Sequence, residues 1–367
     1  MEHLTDHIVS YLNLLRFYKG LFSMPRLIQA GLETVFTGAS SFPVTIDMII
    51  TNRCNLSCPM CYRRGPRGET SNDGEGELSL EEIKKFISEV KGHRPVICLG
   101  GGEPFMRKDL IDIIKEIKSA GLKCILYTNA VLMNEDRSQQ LLDTGVDAVL
   151  VSLYAWGIKH DSVVGEEGAF EKTRENLRAL VRKRTKGTKI LASTLLLPDN
   201  IDQIPEMIRA LREVGVDGVK IEGLSFLTRE EYEKSAEHPE GMDISTSTRM
   251  REEYFSEEFA DTVKALSADI QREFRGFAIF KPHLGREELG RWYTEAISRN
   301  AGCSFIRHSA FIDHRGNVLP CQYFPKCVLG NLRESSFTSI WNSKEYRKAR
   351  RSIAAAVPPV CSRCCKN

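Results

Sequence analysis

Short apolar runs alternate along the chain with longer stretches whose apolar side chains recur at helical spacing. The first pattern predicts buried strands, the second amphipathic helices packed on them. The strand runs are Val44–Ile50, Val96–Gly100, Cys124–Thr128, Ala148–Leu153, Lys189–Leu195 and Gly218–Ile221. The helical period appears from Ser79 to about Val90, and over Leu110–Ala120, Glu135–Thr144, Ala169–Lys183 and Ile201–Val214. Ser79 reads as an N-cap, with Glu81 and Glu82 in the first turn, where the helix dipole favours acid. Gly121, Gly145 and Gly215 read as helix stops or tight turns. Six strands alternating with helices predict an α/β fold with a parallel sheet and right-handed crossovers over residues 44–223.

The flanks read differently. Residues 1–43 carry an amphipathic helical pattern from Ile8 to Phe36, with Arg16, Lys19 and Arg26 between apolar positions and Pro25 ending or kinking the first helix. That segment packs on the main domain or lies in a lipid interface as a peripheral membrane contact. Residues 63–77 are rich in glycine and charge and read as a surface loop. Residues 224–300 read as a charged helical connection, with runs at Glu252–Glu258 and Ala260–Phe274. Residues 301–367 begin with a β-hairpin pattern, Phe311–Asp313 and Val318–Pro320 about the turn Arg315–Asn317, followed by a helix near Ser339–Arg350.

Composition narrows the picture. The chain has 367 residues, 42% of them hydrophobic, and a net charge of +2. That is enough for one large or two ordinary domains, and it gives no electrostatic argument for a nucleic-acid partner. No stretch reaches the roughly 20 apolar residues of a spanning helix. Eleven cysteines without a secretory signal pattern point to a reducing, cytoplasmic location, with thiols serving metals.

The chemistry concentrates on Ile49–Tyr62, reading IITNRCNLSCPMCY. Cys54, Cys58 and Cys61 have the spacing C-x3-C-x2-C on the loop leaving the first strand's carboxyl end, where ligands collect in α/β folds. Soft thiolates suit iron–sulfur clusters and zinc. Three thiolates leave one iron of a four-iron cluster open, whereas a structural zinc site wants four ligands. Gly100-Gly101-Gly102-Glu103-Pro104 follows the second strand. Its glycines permit close backbone approach to a ligand, and Glu103 is an acceptor suited to an ammonium group.

Together these motifs resemble the radical S-adenosylmethionine (SAM) enzymes. The resemblance implies a partial (β/α)6 TIM-like barrel, with a [4Fe–4S] cluster on Cys54, Cys58 and Cys61. SAM would chelate the open iron, and Gly101, Gly102 and Glu103 would hold its methionyl amine. Further SAM contacts implied are Met60 against adenine, Thr128 and Asn129 after strand three, Ser152 after strand four and Thr194 on strand five. Ala130 stands where the family often has glycine. His160-Asp161 and Gly168–Phe170 resemble a common family string, with Val164 in place of its arginine. Each strand-end polar residue also reads as an ordinary satisfied side chain. Cys98 and Cys124 read as core.

The hairpin, the helix and the cysteines around them resemble a truncated form of the SPASM/Twitch extensions, a C-terminal iron–sulfur domain of these enzymes. Cys303, Cys321, Cys361 and Cys364 would hold one auxiliary [4Fe–4S] cluster; Cys327 or Cys365 could replace one of them, and zinc suits the same thiolates. The implied activity is reductive cleavage of SAM to a 5′-deoxyadenosyl radical, which abstracts hydrogen from a substrate C–H bond. An electron donor such as flavodoxin or ferredoxin would supply the reducing equivalent. The substrate reads as a peptide undergoing oxidative or maturase-type modification, or alternatively as a lipid or small molecule undergoing dehydrogenation or C–C bond formation. The opposing reading is a non-catalytic iron–sulfur electron carrier. No catalytic acid is singled out: Tyr62, Tyr154, Glu222 and Asp313 are equally plausible.

Overall fold

The computed structural model describes residues 40–61, 74–236, 254–281, 284–295, 303, 305–355, 358–361 and 363–364. The Ile8–Phe36 helical pattern, Tyr62, Cys365 and most of the loop after the first cysteines lie outside the described residues.

One mixed sheet organises the chain. Its first strands are β1 (Thr45–Thr51), β2 (Val96–Gly101), β3 (Lys123–Thr128), β4 (Ala148–Ser152), β5 (Lys189–Leu196) and β6 (Gly218–Gly223). They lie side by side in sequence order, each parallel to the next. The crossovers are α1 (Leu80–Val90), α2 (Leu110–Ser119), α3 (Glu135–Asp143), α4 (Ile158–Val164) with α5 (Ala169–Lys183), and α6 (Ile204–Val214). Ser79 caps α1 in a full capping box with Glu82.

The strand pleat divides two cores. Ile46, Met48, Ile97, Leu99, Leu126, Val149, Val151, Ile190, Ala192, Val219 and Ile221 pack with the helices. Alternate positions, including Cys98, Ile125, Leu150 and Leu191, form a second core on the opposite, inner face. Both faces being covered explains why these strands read as apolar runs rather than as alternating ones.

Two features depart from the expectation. The segment read as a helical connection contains α7 (Arg229–Ala236) and α8 (Glu257–Glu273), then a seventh parallel strand, β7 (Ala278–Lys281), and α9 (Arg286–Thr294). Four residues are too short to announce themselves beside a strongly helical neighbour. The expected C-terminal helix divides into α11 (Phe337–Trp341) and α12 (Lys344–Ala355), following the single turn α10 (Phe305–His308).

The C-terminal hairpin does not stand apart. β8 (Ser309–Ile312) pairs parallel to β1 and antiparallel to β9 (Asn317–Leu319), which pairs with β10 (Gly330–Asn331). The sheet therefore runs β10-β9-β8-β1-β2-β3-β4-β5-β6-β7, with β1 interior to it. Among the described residues no helix is long and apolar enough to cross a membrane.

Candidate active site and auxiliary cluster site

Beyond Thr51 the chain leaves the sheet at the carboxyl ends of the strands, and its path is fixed by buried polar contacts. Arg107, only 7% exposed, donates to the carbonyls of Ile50 and Leu78 at 2.8 and 2.9 Å and grips Asp109 with two bonds. Arg53 pairs with Glu77 at 3.1 Å, and Glu77 also bonds the Thr51 hydroxyl. The far end of the glycine-rich surface loop is thereby pinned to the neck of the cysteine loop.

The Gly-Gly-Glu-Pro turn is sewn to the same neck. Gly102 N donates to Thr51 O at 2.9 Å and Glu103 N to Arg53 O at 2.8 Å. A Cβ on Gly102 would stand 2.1 Å from Arg53 O, and one on Gly101 would stand 2.7 Å from Thr51 O. The glycines thus admit the cysteine-loop backbone itself, a second reason for glycine here beside close approach to a ligand.

Glu103 is 1% exposed. Its Oε1 accepts from the Thr128 hydroxyl at 2.7 Å and Phe105 N at 3.1 Å, and its Oε2 from Asn129 N at 2.7 Å. Burial raises its pKa to about 7 against these three donors. Thr128 and Asn129 therefore position the carboxylate. Asn129 also reaches Asn55 in the cysteine loop, Nδ2 to Oδ1 at 3.0 Å. Ala130 then takes φ +59°, the left-handed region where glycine is easiest.

Cys54, Cys58 and Cys61 sit partly exposed on this loop. Leu56 N donates to Cys54 Sγ at 3.4 Å, and Leu56 packs with Val164 and Ala169 beneath Cys54, Cys58 and Tyr154. Tyr154 packs in the same small cluster as Cys54 and Cys58; burial first, then the Cys58 and Cys61 thiols, push its pKa up against a bond to Ser152. His160 accepts from Tyr154 N at Nδ1, 3.1 Å away, and burial pulls its pKa down to about 4. Asp161 accepts from Gly168 N and Phe170 N at the start of α5. The string around these two residues is thus scaffolding for the loop. Asp313 is likewise a turn residue, accepting from Arg315 N and Asn317 N.

Met60 lines an open cleft of about 470 Å³ with Pro59, Val163, Leu197, Pro198 and Tyr254. That size lies in the range of small-molecule sites. Ser152 falls on the inner face, in line with Leu150. Thr194 does not: it shares its face with Ile190, Ala192 and Leu196 in the helix-side core, and its hydroxyl bonds Leu195 O at 3.3 Å. Its neighbour Ser193 takes the inner position and reaches Glu222 at 3.4 Å. Glu222 pairs with Lys220 at 2.8 Å, and the Lys220 ammonium lies 5.5 Å from the Tyr127 ring centroid. Sequence reasoning missed Tyr127, Ser193 and Lys220. The period of two, which puts Ser193 in step with Leu191, was the available signal.

The second set of thiols gathers elsewhere. Cys303, Cys321, Cys361 and Cys364 line a single cavity whose other walls include Phe305, Ile306, Tyr323, Phe324 and Ile353. Cys327 is not among its walls; its N–H donates to Phe324 O in the turn. Four thiols and apolar walls fit a cluster, which spreads its ligands around a larger body. Cys303 and Cys321 also pack on a small core of Ile49, Phe305, Phe311 and Leu319.

The family model of the Radical SAM superfamily matches residues 48–211, and that of the SPASM iron–sulfur cluster-binding domain matches residues 303–365. The chain belongs to the radical SAM superfamily. This radical SAM enzyme is 29% identical over 316 residues to an AdoMet-dependent heme synthase of Methanosarcina barkeri, covering 84% of this chain and 85% of that protein. It is 25% identical over 325 residues to the subtilosin biosynthesis protein AlbA of Bacillus subtilis, covering 86% of this chain and 64% of AlbA. Streptococcus suis SuiB bound to S-adenosylmethionine shares the fold with a TM-score of 0.63 at 17% identity, over 87% of this chain and 70% of SuiB. Membership in the superfamily brings a [4Fe–4S] cluster and SAM as cofactors, and the SPASM domain brings auxiliary iron–sulfur chemistry.

Proposed function

We propose that this radical SAM enzyme oxidises its substrate, with Cys54, Cys58 and Cys61 holding the SAM cluster and Cys303, Cys321, Cys361 and Cys364 holding one auxiliary cluster. When bound, SAM and its cluster supply a hydrogen-abstracting 5′-deoxyadenosyl radical, and the auxiliary cluster supplies an acceptor for one electron. The observation that carries the reading is the convergence of four thiols on one apolar-walled cavity, joined through Ile49 to strand β1, whose loop carries the first three.

The chain's own residues supply geometry. Thr128 and Asn129 aim Glu103, and Asn129 fixes the cysteine loop through Asn55. Glu103 is the acceptor for the SAM ammonium, and Met60 with Leu197 forms the apolar wall for adenine. Lys220, Glu222 and Ser193 place hydrogen-bonding groups on the inner face, where a substrate would enter.

A peptide is the first substrate reading, supported by relatives named for subtilosin biosynthesis and PqqA cyclisation. A second reading, a carboxylate-bearing small molecule such as a tetrapyrrole, is favoured by coverage. The M. barkeri heme synthase matches over 85% of its length, whereas AlbA matches over 64% and PqqA peptide cyclase over 54%. A flavodoxin- or ferredoxin-type donor would reduce the SAM cluster, and residues 8–36 would give peripheral contact with a membrane.

The test is anaerobic reconstitution followed by SAM and dithionite. The wild type should release 5′-deoxyadenosine; Cys58→Ala should not, while keeping the auxiliary iron. Persistent cleavage in Cys58→Ala would refute the ligand assignment. An intact cluster with no cleavage in the wild type would leave the chain an electron carrier. Stimulation of turnover by an iron tetrapyrrole rather than by candidate peptides decides the substrate class. Deleting residues 1–36 should lower liposome association; unchanged partitioning returns that segment to packing.

A further inference from the structure

Helix α12 carries two polar groups that the active-site reading leaves unused. Tyr346 is fully buried, and its hydroxyl has no hydrogen-bond partner among the described residues. A buried, unbonded hydroxyl costs free energy, so a missing partner is the natural explanation. The surroundings point to the four-cysteine site: α12 runs along its wall, and Cys321 and Cys303 push the tyrosine's pKa up after burial, the first cause. Ile353, seven residues on and therefore on the same helix face, lines the four-cysteine cavity.

Arg350 lies between them in sequence and stacks on Tyr346. Its guanidinium carbon is 4.2 Å from the ring centroids of both Tyr346 and Trp341. It is 3% exposed. Its donors go to the carbonyls of Ile306 and Trp341 and to Asn342 Oδ1, at 3.2, 2.8 and 3.0 Å, all uncharged acceptors. Ile306 is itself a wall of the cysteine cavity. Among the described residues Arg350 forms no ion pair with a carboxylate. A guanidinium buried without a counter-charge is strongly unfavourable unless an anion stands nearby. A cluster held by four thiolates is such an anion.

We propose that Tyr346 and Arg350 are tuning residues of the auxiliary cluster, Tyr346 placed to donate its hydroxyl to the thiolate of Cys303 or Cys321 and Arg350 supplying the counter-charge. Hydrogen bonds to sulfur and nearby positive charge favour the reduced, more negative form of a cluster. The pair therefore raises the potential and makes the site a better acceptor of the substrate's electron. This deepens the oxidative reading above and rests on the auxiliary site holding iron and sulfur.

The experiment is an anaerobic redox titration of the full-length, reconstituted protein followed by electron paramagnetic resonance. Adding SAM marks the signal of the first cluster. Tyr346→Phe and Arg350→Gln should each lower the auxiliary midpoint potential and leave the SAM-responsive signal in place, at unchanged iron content. Tyr346→Phe removes a single oxygen, so it keeps the test decisive if Arg350→Gln misfolds. An unchanged auxiliary potential in Tyr346→Phe overturns the proposal. Wild-type protein holding zinc, or only four irons, overturns the cluster reading beneath it, and iron analysis separates that result from an unchanged potential.

Discussion

Thr128 donates its hydroxyl to Glu103 at 2.7 Å, joining the end of β3 to the turn after β2. With Asn129 it holds the carboxylate in one orientation at a site that is 1% exposed. Burial lifts the pKa of Glu103 from an ordinary 4.5 to about 7. The native state therefore holds this proton more tightly than the unfolded chain does. Stability is full below about pH 4.5 and falls as pH rises to about 7, by about 3 kcal/mol from 1.4 kcal/mol per unit. Denaturant titrations between pH 5 and 8 should show this decline in wild type and lose it in Glu103→Gln. SAM, whose ammonium selects the ionised carboxylate, should bind more tightly as pH rises through about 7, and this slope should vanish in the same variant.

Gly102→Ala should displace the cysteine loop, because its methyl would meet the Arg53 carbonyl, which cannot rotate away as a side chain could. The expected loss is about 1–3 kcal/mol, as for overpacking in a core. Iron at the SAM site should fall while iron at the auxiliary site stays. Equal iron at both sites would show that the turn and the loop are not coupled.

Ala130 occupies the left-handed region without being glycine. Ala130→Gly relieves backbone strain and loses one buried methyl, so its stability should lie within about 1 kcal/mol of wild type. Ala130→Val, β-branched at positive φ, should be markedly less stable. Thermal denaturation of the two variants compares them, and a stable Val variant would show that the turn has another conformation open to it.

Arg363 stands between two of the auxiliary cysteines and is fully buried. It pairs with Glu231 on α7 and donates to the carbonyls of Trp292 and Glu295. Arg363→Met should destabilise by about 3–5 kcal/mol, since it strands a buried carboxylate. The double variant Arg363→Met with Glu231→Gln should lose less than the two single losses summed. Additive losses in urea titrations would show the pair to be independent.

Cys327→Ala should retain auxiliary iron, and Cys361→Ala should lose it, because Cys361 lines the thiol cavity and Cys327 does not. Iron analysis of the two variants beside wild type is the measurement. Lost iron in Cys327→Ala would move the ligand set.

Much of this arrangement was legible without coordinates. The C-x3-C-x2-C loop, the Gly-Gly-Glu-Pro turn and the strand–helix alternation depend on spacing and period, which are properties of neighbouring residues and stand in the sequence itself. The sequence shows six cysteines after residue 300, and only the fold brings Cys303, Cys321, Cys361 and Cys364 onto one cavity. Other features depend on residues that meet only when the chain returns on itself. The reason for Gly102 lies in the backbone of Arg53, and the place of β8 beside β1 lies in pairings across more than 260 positions, such as Thr45 with Ser309. A shift of one position in the β5 pleat decides that Ser193 rather than Thr194 faces inward. Tyr346 looks like any core aromatic until its buried hydroxyl is found without a hydrogen-bond partner among the described residues. Sequence spacing specifies which groups are carried on one loop or one face, whereas close packing between distant segments decides which of them can touch.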